Sequence, residues 1–273
     1  MTGILIAFKD YKFNLGIFGS KWVGFENFQY LFTSGDAARI LTHTVLYNAV
    51  FIITNMLVSI GLALLFNEVR SRYLARVYQS AVFFPYFVSW VIAGYFALAL
   101  LSTDNGLLNN LRQQLLLSPI SWLRTPSVWP FILVFANLWK NAGYLSLIYL
   151  AAMMGINPEL YEVAQIDGGS RWQQVWYITI PLISPIIIIM LVLSIGKILN
   201  ADFGLFFYLT RGASGGVINS VDVIDTYVYN ALRNSTDLGQ PAAAGFFQSV
   251  VGFILVLTTN QIIRKVDPER ALF

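Results

Sequence analysis

Cysteine is absent from this 273-residue chain, so disulfide frameworks, thiolate metal sites and cysteine nucleophiles are excluded. Histidine occurs once, as His43, which leaves little scope for imidazole chemistry. Charge is scarce as well: 11% of the residues are charged, against roughly 25% in ordinary soluble domains. No G-x-x-x-x-G-K-[ST] phosphate loop occurs, so the chain does not bind ATP by the usual route. The net charge of +3 comes without a basic stripe interleaved with aromatics, which argues against nucleic acid and for loops that lie at lipid headgroups. No pair of carboxylates follows glycosidase logic, and nothing supports catalysis. What fills the chain is apolar: 57% of its residues are hydrophobic, a membrane composition.

Hydropathy predicts an all-α polytopic fold with five clear spans, near residues 43–67, 80–101, 129–154, 181–203 and 241–263. Each meets the ~20 residues that an α-helix needs to cross the hydrocarbon core. The opening MTGILIAF is apolar but too short to span and ends at Lys9-Asp10. We read it as the remnant of a first helix that begins upstream; a signal peptide fits less well, because a basic n-region and a small-residue cleavage site are missing. The whole of 1–273 reads as a single transmembrane domain. Lys and Arg totals do not separate the two sides of the membrane, but Arg70, Arg72 and Arg76 are packed beside one span, which favours that loop being cytoplasmic. Alternation then puts residues 155–180 on the cytoplasmic side as well.

That second loop holds NPELYEVAQIDGGSRWQQVWYITIPLISP, Asn157 to Pro185, an amphipathic and charged stretch between two spans. Asn157 followed by Pro158 is a helix start, since the amide side chain caps a backbone N–H and proline at the first helical position loses no needed donor. Leu160, Val163 and Ala164 then share one face, with Glu159, Glu162 and Gln165 elsewhere. Asp167-Gly168-Gly169 stops the helix, because glycine takes the left-handed conformation of a C-terminal turn. Ser170 and Gln173 form an S-x-x-Q capping box that starts a second helix at once, and Pro181 and Pro185 open the next span. A helix this short must bury its apolar face on something else.

The string resembles the EAA signature of ABC importer permeases, in which Glu-Ala-Ala is followed by Asp-Gly-Ala and then by Ile-x-Leu-Pro. Here the matching residues are Glu162-Val163-Ala164, Asp167-Gly168-Gly169 and Ile178-Thr179-Ile180-Pro181. Val163, Gly169 and Ile180 depart from the pattern but roughly keep size or apolarity. WVGFENFQYLF (Trp22–Phe32) and SIGKILNADF (Ser194–Phe203) resemble the carbohydrate-importing, maltose-type branch and its oligosaccharide and polysaccharide subgroup. The resemblance implies a type I ABC importer permease fold in a bacterial inner membrane, with residues 157–180 as a cytoplasmic coupling helix and re-entry helix. Glu162, Ala164, Asp167, Gly168, Ile178 and Pro181 would couple it to an ATPase. It also implies a homologous second permease, two ATPase subunits that bind the ATP and magnesium, and an external solute-binding protein. The alternative from the residues alone is an ion-coupled secondary transporter using Lys140, Lys197 and Asp202.

Polar residues inside spans mark a candidate path for the carbohydrate, because they are expensive in lipid and usually face a wet interior. Asn137, Lys140, Asn141 and Tyr144 lie on one stripe of the span at 129–154, and Thr44, Asn48, Asn55 and Ser59 on one arc of the span at 43–67. Ser194, Lys197, Asn200 and Asp202 are expected on a third stripe, in the span at 181–203, with Lys197 pairing with Asp202 or with the second permease. Trp139 and Tyr144 offer aromatic faces for sugar rings. The two lysines suit an acidic sugar, whereas the asparagines serve equally well as interhelical hydrogen bonds. Ala242, Ala243, Ala244, Gly245, Ser249 and Gly252 read as a close-packing face of the last span, and Asp222, Asp225 and Arg233 as solvated charges of an outer loop.

Overall fold

The computed structural model describes residues 3–33, 35–210, 215–234 and 238–266. Met1 and Thr2, at the start of the expected helix remnant, lie outside them; the described part forms one helical turn, Gly3–Ile6. Two-residue strands β1 (Lys9–Asp10) and β2 (Lys21–Trp22) then pair antiparallel. The principal helices are α1 (Glu26–Thr33), α2 (Ala37–Asn67), α3 (Arg72–Phe83), α4 (Trp90–Leu101), α5 (Leu107–Gln114), α6 (Trp129–Met154), α7 (Glu159–Ile166), α8 (Arg171–Gln174), α9 (Ile180–Ile195), α10 (Phe203–Thr210), α11 (Ile224–Asn234) and α12 (Gly239–Val266). Among the described residues, four helices are long and apolar enough to cross a membrane: Ala37–Asn67, Pro126–Met154, Arg171–Ile195 and Gly239–Lys265. Less than a third of each is buried within the chain, as expected where the remaining surface meets lipid or other subunits.

Two expected spans take a different form. The stretch 80–101 is not one helix: a 3-10 turn at Phe84–Phe87 follows α3, and α4 starts afresh at Trp90. Pro85 contributes no backbone donor, and the Ser89 side chain accepts from Ile92 N–H as a new N-cap. The stretch 181–203 is also interrupted. Its helix begins earlier, as α8, runs through a π-helical turn at Val175–Thr179 and ends at Ile195. Residues 196–202 are turns and irregular backbone, so Lys197, Asn200 and Asp202 do not lie on a helical stripe.

The chain packs as two compact units, each assembled from three stretches. One comprises Met1–Val50, Ser89–Val134 and Gly196–Leu255; the other comprises Phe51–Val88, Phe135–Ile195 and Val256–Phe273. In the first, Ile40, Leu199, Ile224 and Ala244 form one buried cluster, and Ala7, Phe28 and Ala243 another. Ala243 and Ala244 are fully buried, and a Cβ on Gly252 would lie 2.3 Å from the Gly196 carbonyl oxygen. The small-residue face of α12 is therefore narrower than the sequence suggests: Ala243, Ala244 and Gly252 make close contacts, whereas Gly245 and Ser249 are exposed. The second unit is built on Ala63, Phe66, Tyr149, Leu150, Met153 and Ile183.

Candidate coupling loop and translocation residues

The loop at 157–180 lies within the second unit, and its geometry follows from local backbone chemistry. Asn157 Oδ1 accepts from Glu159 N–H at 3.1 Å, and α7 starts one residue later than expected, with Pro158 at the N-cap position rather than inside the helix. At the far end Gly168 sits at φ +79°, Gly168 N–H donates to the Gln165 carbonyl, and Gly169 N–H donates to the Ala164 carbonyl at 2.7 Å. These bonds satisfy orphan carbonyls of the last turn. The Ser170–Gln173 capping box is complete, and the buried Gln174 side chain returns to the Gly169 carbonyl. Pro181 and Pro185 each withdraw a backbone donor from the start of α9, and a widened turn accommodates such a loss. Ile180 N–H bonds to Val175 O, five residues back.

Two long-range contacts that sequence spacing did not reveal hold this loop, and a cavity lies beside it. Tyr161 Oη lies 2.9 Å from Thr179 Oγ1, tying α7 to the π turn. Arg171 pairs with Glu68 at 2.8 Å on the surface. A cavity of about 620 Å³, lined among others by Leu64, Glu68, Tyr161, Gln165 and Thr179, separates α7 from the end of α2. Ile178 is half-buried, and Glu162, Asp167 and Pro181 are exposed. The apolar face of α7 has no cover within the unit: Leu160 and Val163 are exposed, and so is Ile166, at 85%.

The polar residues of the same unit fall into two groups. Asn55 and Asn137 are buried and bonded to each other, Asn141 donates to the Asn137 carbonyl one turn back, and Ser59 donates to Ala142 O. Lys140, by contrast, joins an aromatic group. Its ammonium donates to the Tyr86 carbonyl at 2.9 Å and to the Val88 carbonyl, and sits 5.8 Å from the Tyr86 ring centre. Tyr86 stacks on Tyr144 at 4.5 Å, and Phe83 stacks on both. Trp139 and Tyr144 are exposed. Phe83 and Tyr86 are absent from the sequence-derived stripe; the only clue was the aromatic run around Pro85.

In the first unit, Asn48 donates to the Ile198 and Asn200 carbonyls and braces the non-helical segment that replaces the expected stripe. Thr44 is buried and accepts from Ile224 N–H. Asp202 does not pair with Lys197: it accepts from Trp90 Nε1 at 2.7 Å and from Leu205 N–H at the start of α10. Lys197 and Asn200 are exposed, and the Lys197 side chain makes no hydrogen bond or ion pair among the described residues.

Asp222 and Asp225 are not solvated loop charges either. Asp222 is buried and accepts from Thr226 Oγ1 at 2.6 Å; Asp225 is half-buried and accepts from Ala201 N–H at 2.9 Å and from Gln248 Nε2. Burial pushes both carboxyls above their ordinary pKa, against the pull of these hydrogen bonds. Arg233, in the last turn of α11, is exposed. A raised folded-state pKa favours the protonated form, so the stabilisation is fully present below the unfolded value and is lost as pH rises through the folded one. Asp225→Asn is therefore expected to hold or raise the thermal midpoint at pH 7 and to flatten its dependence on mildly acidic pH. Asp225→Ala orphans the Ala201 N–H and leaves the Gln248 amide only its bond to the Leu199 carbonyl, and is expected to lose about 1–3 kcal/mol. Thermal unfolding of the three proteins across a pH series measures both effects.

Residues 55–269 match the family described as binding-protein-dependent transport system inner membrane component. The chain belongs to this family. It is therefore an inner-membrane permease subunit of the ABC type, a transport protein and not an enzyme. The permease is 36% identical over 269 residues to Protein LplB of Bacillus subtilis (strain 168), covering 98% of this chain and 84% of the relative. It is equally identical to the polygalacturonan/rhamnogalacturonan transport system permease protein YteP of the same organism, covering 98% and 83%. Its fold matches a chain in the crystal structure of a bacterial alginate ABC transporter in complex with an alginate pentasaccharide-bound periplasmic protein. The TM-score is 0.85 at 34% identity, covering 97% of the permease and 87% of that chain. The type I permease fold implied by the EAA resemblance is thus the observed one.

Proposed function

We propose that the permease forms half of an alternating-access path for an acidic oligosaccharide, received from an external solute-binding protein and driven by ATP hydrolysis in two partner subunits. A homologous second permease supplies the other half. The observation that carries the sugar is the Phe83–Tyr86–Tyr144 stack with the Lys140 ammonium set against it. Sugar rings present C–H faces that stack on aromatic rings, and an ammonium beside the stack adds attraction for a carboxylate. The polyuronide substrates in the names of YteP and the alginate transporter support an acidic cargo. The uncovered Leu160–Val163–Ile166 face of α7 supports docking on an ATPase, with Glu162 at the edge of the contact and Gly168 fixing the turn.

The test is import by reconstituted complexes carrying Lys140→Gln or Lys197→Gln, assayed with acidic and neutral oligosaccharides alongside yields of intact complex. Loss of a charge-assisted hydrogen bond, worth about 1.5–3 kcal/mol, is expected to depress acidic-sugar import on the order of tenfold or more, with the neutral analogue less affected. Loss of assembly instead makes the lysine structural. Normal assembly with unchanged uptake of both sugars removes both lysines from the site. Transport by the chain alone on a proton gradient, without ATP, overturns the ATP-driven reading.

A further inference from the structure

Helix α5 and the turn after it are built inside out. At about 100° per residue, Leu107, Leu108, Leu111 and Leu115 fall within one arc, and Asn109 lies on the opposite side. The polar residue is the one that points inward. Asn109 is fully buried; its amide donates to the carbonyls of Ser102, Thr103 and Ile120, and its oxygen accepts from Ile120 N–H and Trp122 Nε1. The leucines are exposed, and exposure continues through Leu116 and Leu117, with Leu116 at 96%. The turn that presents them is firmly held. Leu116 takes φ +58°, a conformation usually left to glycine, Leu117 N–H bonds to Arg112 O, and the Arg112 guanidinium donates twice to Ser118 O at 3.0 Å. The one basic side chain of the helix is thereby turned onto the backbone.

In water this polarity is the wrong way round, because an amphipathic helix places its apolar stripe toward the core. In a lipid interface it is the right way round. The segment also continues an apolar surface: it packs against α4, whose Tyr95, Phe96 and Leu100 are exposed. Asp104 and Arg112 are the only charged residues between Ser89 and Leu123. We infer that α5 and the Leu115–Leu117 turn form an interfacial anchor, with the leucine arc immersed in the acyl boundary of the bilayer and Asn109 fastening it to the protein.

The chain's lack of cysteine makes single-cysteine labelling direct. Spin labels placed singly at Leu108, Leu111 and Leu116, with Asp104 as a water-exposed reference, are to be read in the complete transporter in phospholipid bilayers by collision with oxygen and with a water-soluble nickel chelate. The oxygen-to-nickel collision ratio at the three leucine positions is expected to exceed that at Asp104 several-fold. A ratio equal to that at Asp104 places the leucines in water and overturns the inference. Protection from both probes assigns the face to another subunit or to the binding protein and overturns it equally. The substituted side chains are exposed, so folding is preserved, and ATP-driven import by each labelled complex confirms it.

Discussion

Gly168→Val is expected to cut ATP-driven import by about 5–150-fold while leaving sugar capture by the external binding protein unchanged. A Cβ at this position meets no atom within 4 Å, so space is not the constraint. The constraint is φ +79°, which a β-branched residue adopts only at a cost of about 1–3 kcal/mol. A free energy of that size in a coupling element corresponds to the stated range. The chain avoids it by changing the turn, which shifts α7 relative to α8 and loosens the proposed docking surface. Gly168→Asn is the control, because asparagine tolerates the left-handed region. ATP hydrolysis and import in reconstituted complexes should rank wild type, Asn, then Val, and Glu162→Lys should weaken docking in the same assay without altering the turn. Equal import by the Asn and Val variants sinks the conformational argument, and normal import with both Gly168→Val and Glu162→Lys removes the coupling assignment.

Gly252→Val should cause the largest loss of stability on α12. Its Cβ would lie 2.3 Å from the Gly196 carbonyl oxygen, a backbone atom that cannot rotate away, so the helix must move off the segment it packs on. Overpacking costs about 1–3 kcal/mol and sometimes more. The expected readouts are a lower thermal midpoint and a reduced yield of assembled complex. Gly245→Ala, on the same helix with nothing within 4 Å of the added Cβ, is expected to stay within about 0.5 kcal/mol of wild type. Equal behaviour of the two variants shows that the close approach carries no energetic weight.

What could be read from the chain alone was set by chemistry over a few residues. The left-handed Gly168 and the Ser170–Gln173 box each depend on a backbone group no more than five positions away, and the structure contains both; the Asn157 side chain does bond the Glu159 N–H, but Pro158 rather than Asn157 stands at the N-cap. The long apolar helices were legible for a similar reason, since a span must satisfy its backbone internally and advertise itself by length and hydropathy. The breaks at Val88–Ser89 and after Ile195 were not, because the residues between the helices on either side of each break are too few to interrupt the apolar signal.

Hydropathy and the EAA string thus determined an all-α inner-membrane permease. The tertiary structure decided which polar groups are committed. Asp202 took the Trp90 indole, 112 positions away, rather than Lys197; Lys140 found the Tyr86 carbonyl 54 positions away; Asn55 and Asn137 bonded each other. A polar group withdrawn from water is costly to leave unpaired, so a side chain such as Asn55 takes a partner that the packed helices bring within reach. Residue type fixes the need for that partner, and only the packing fixes its identity.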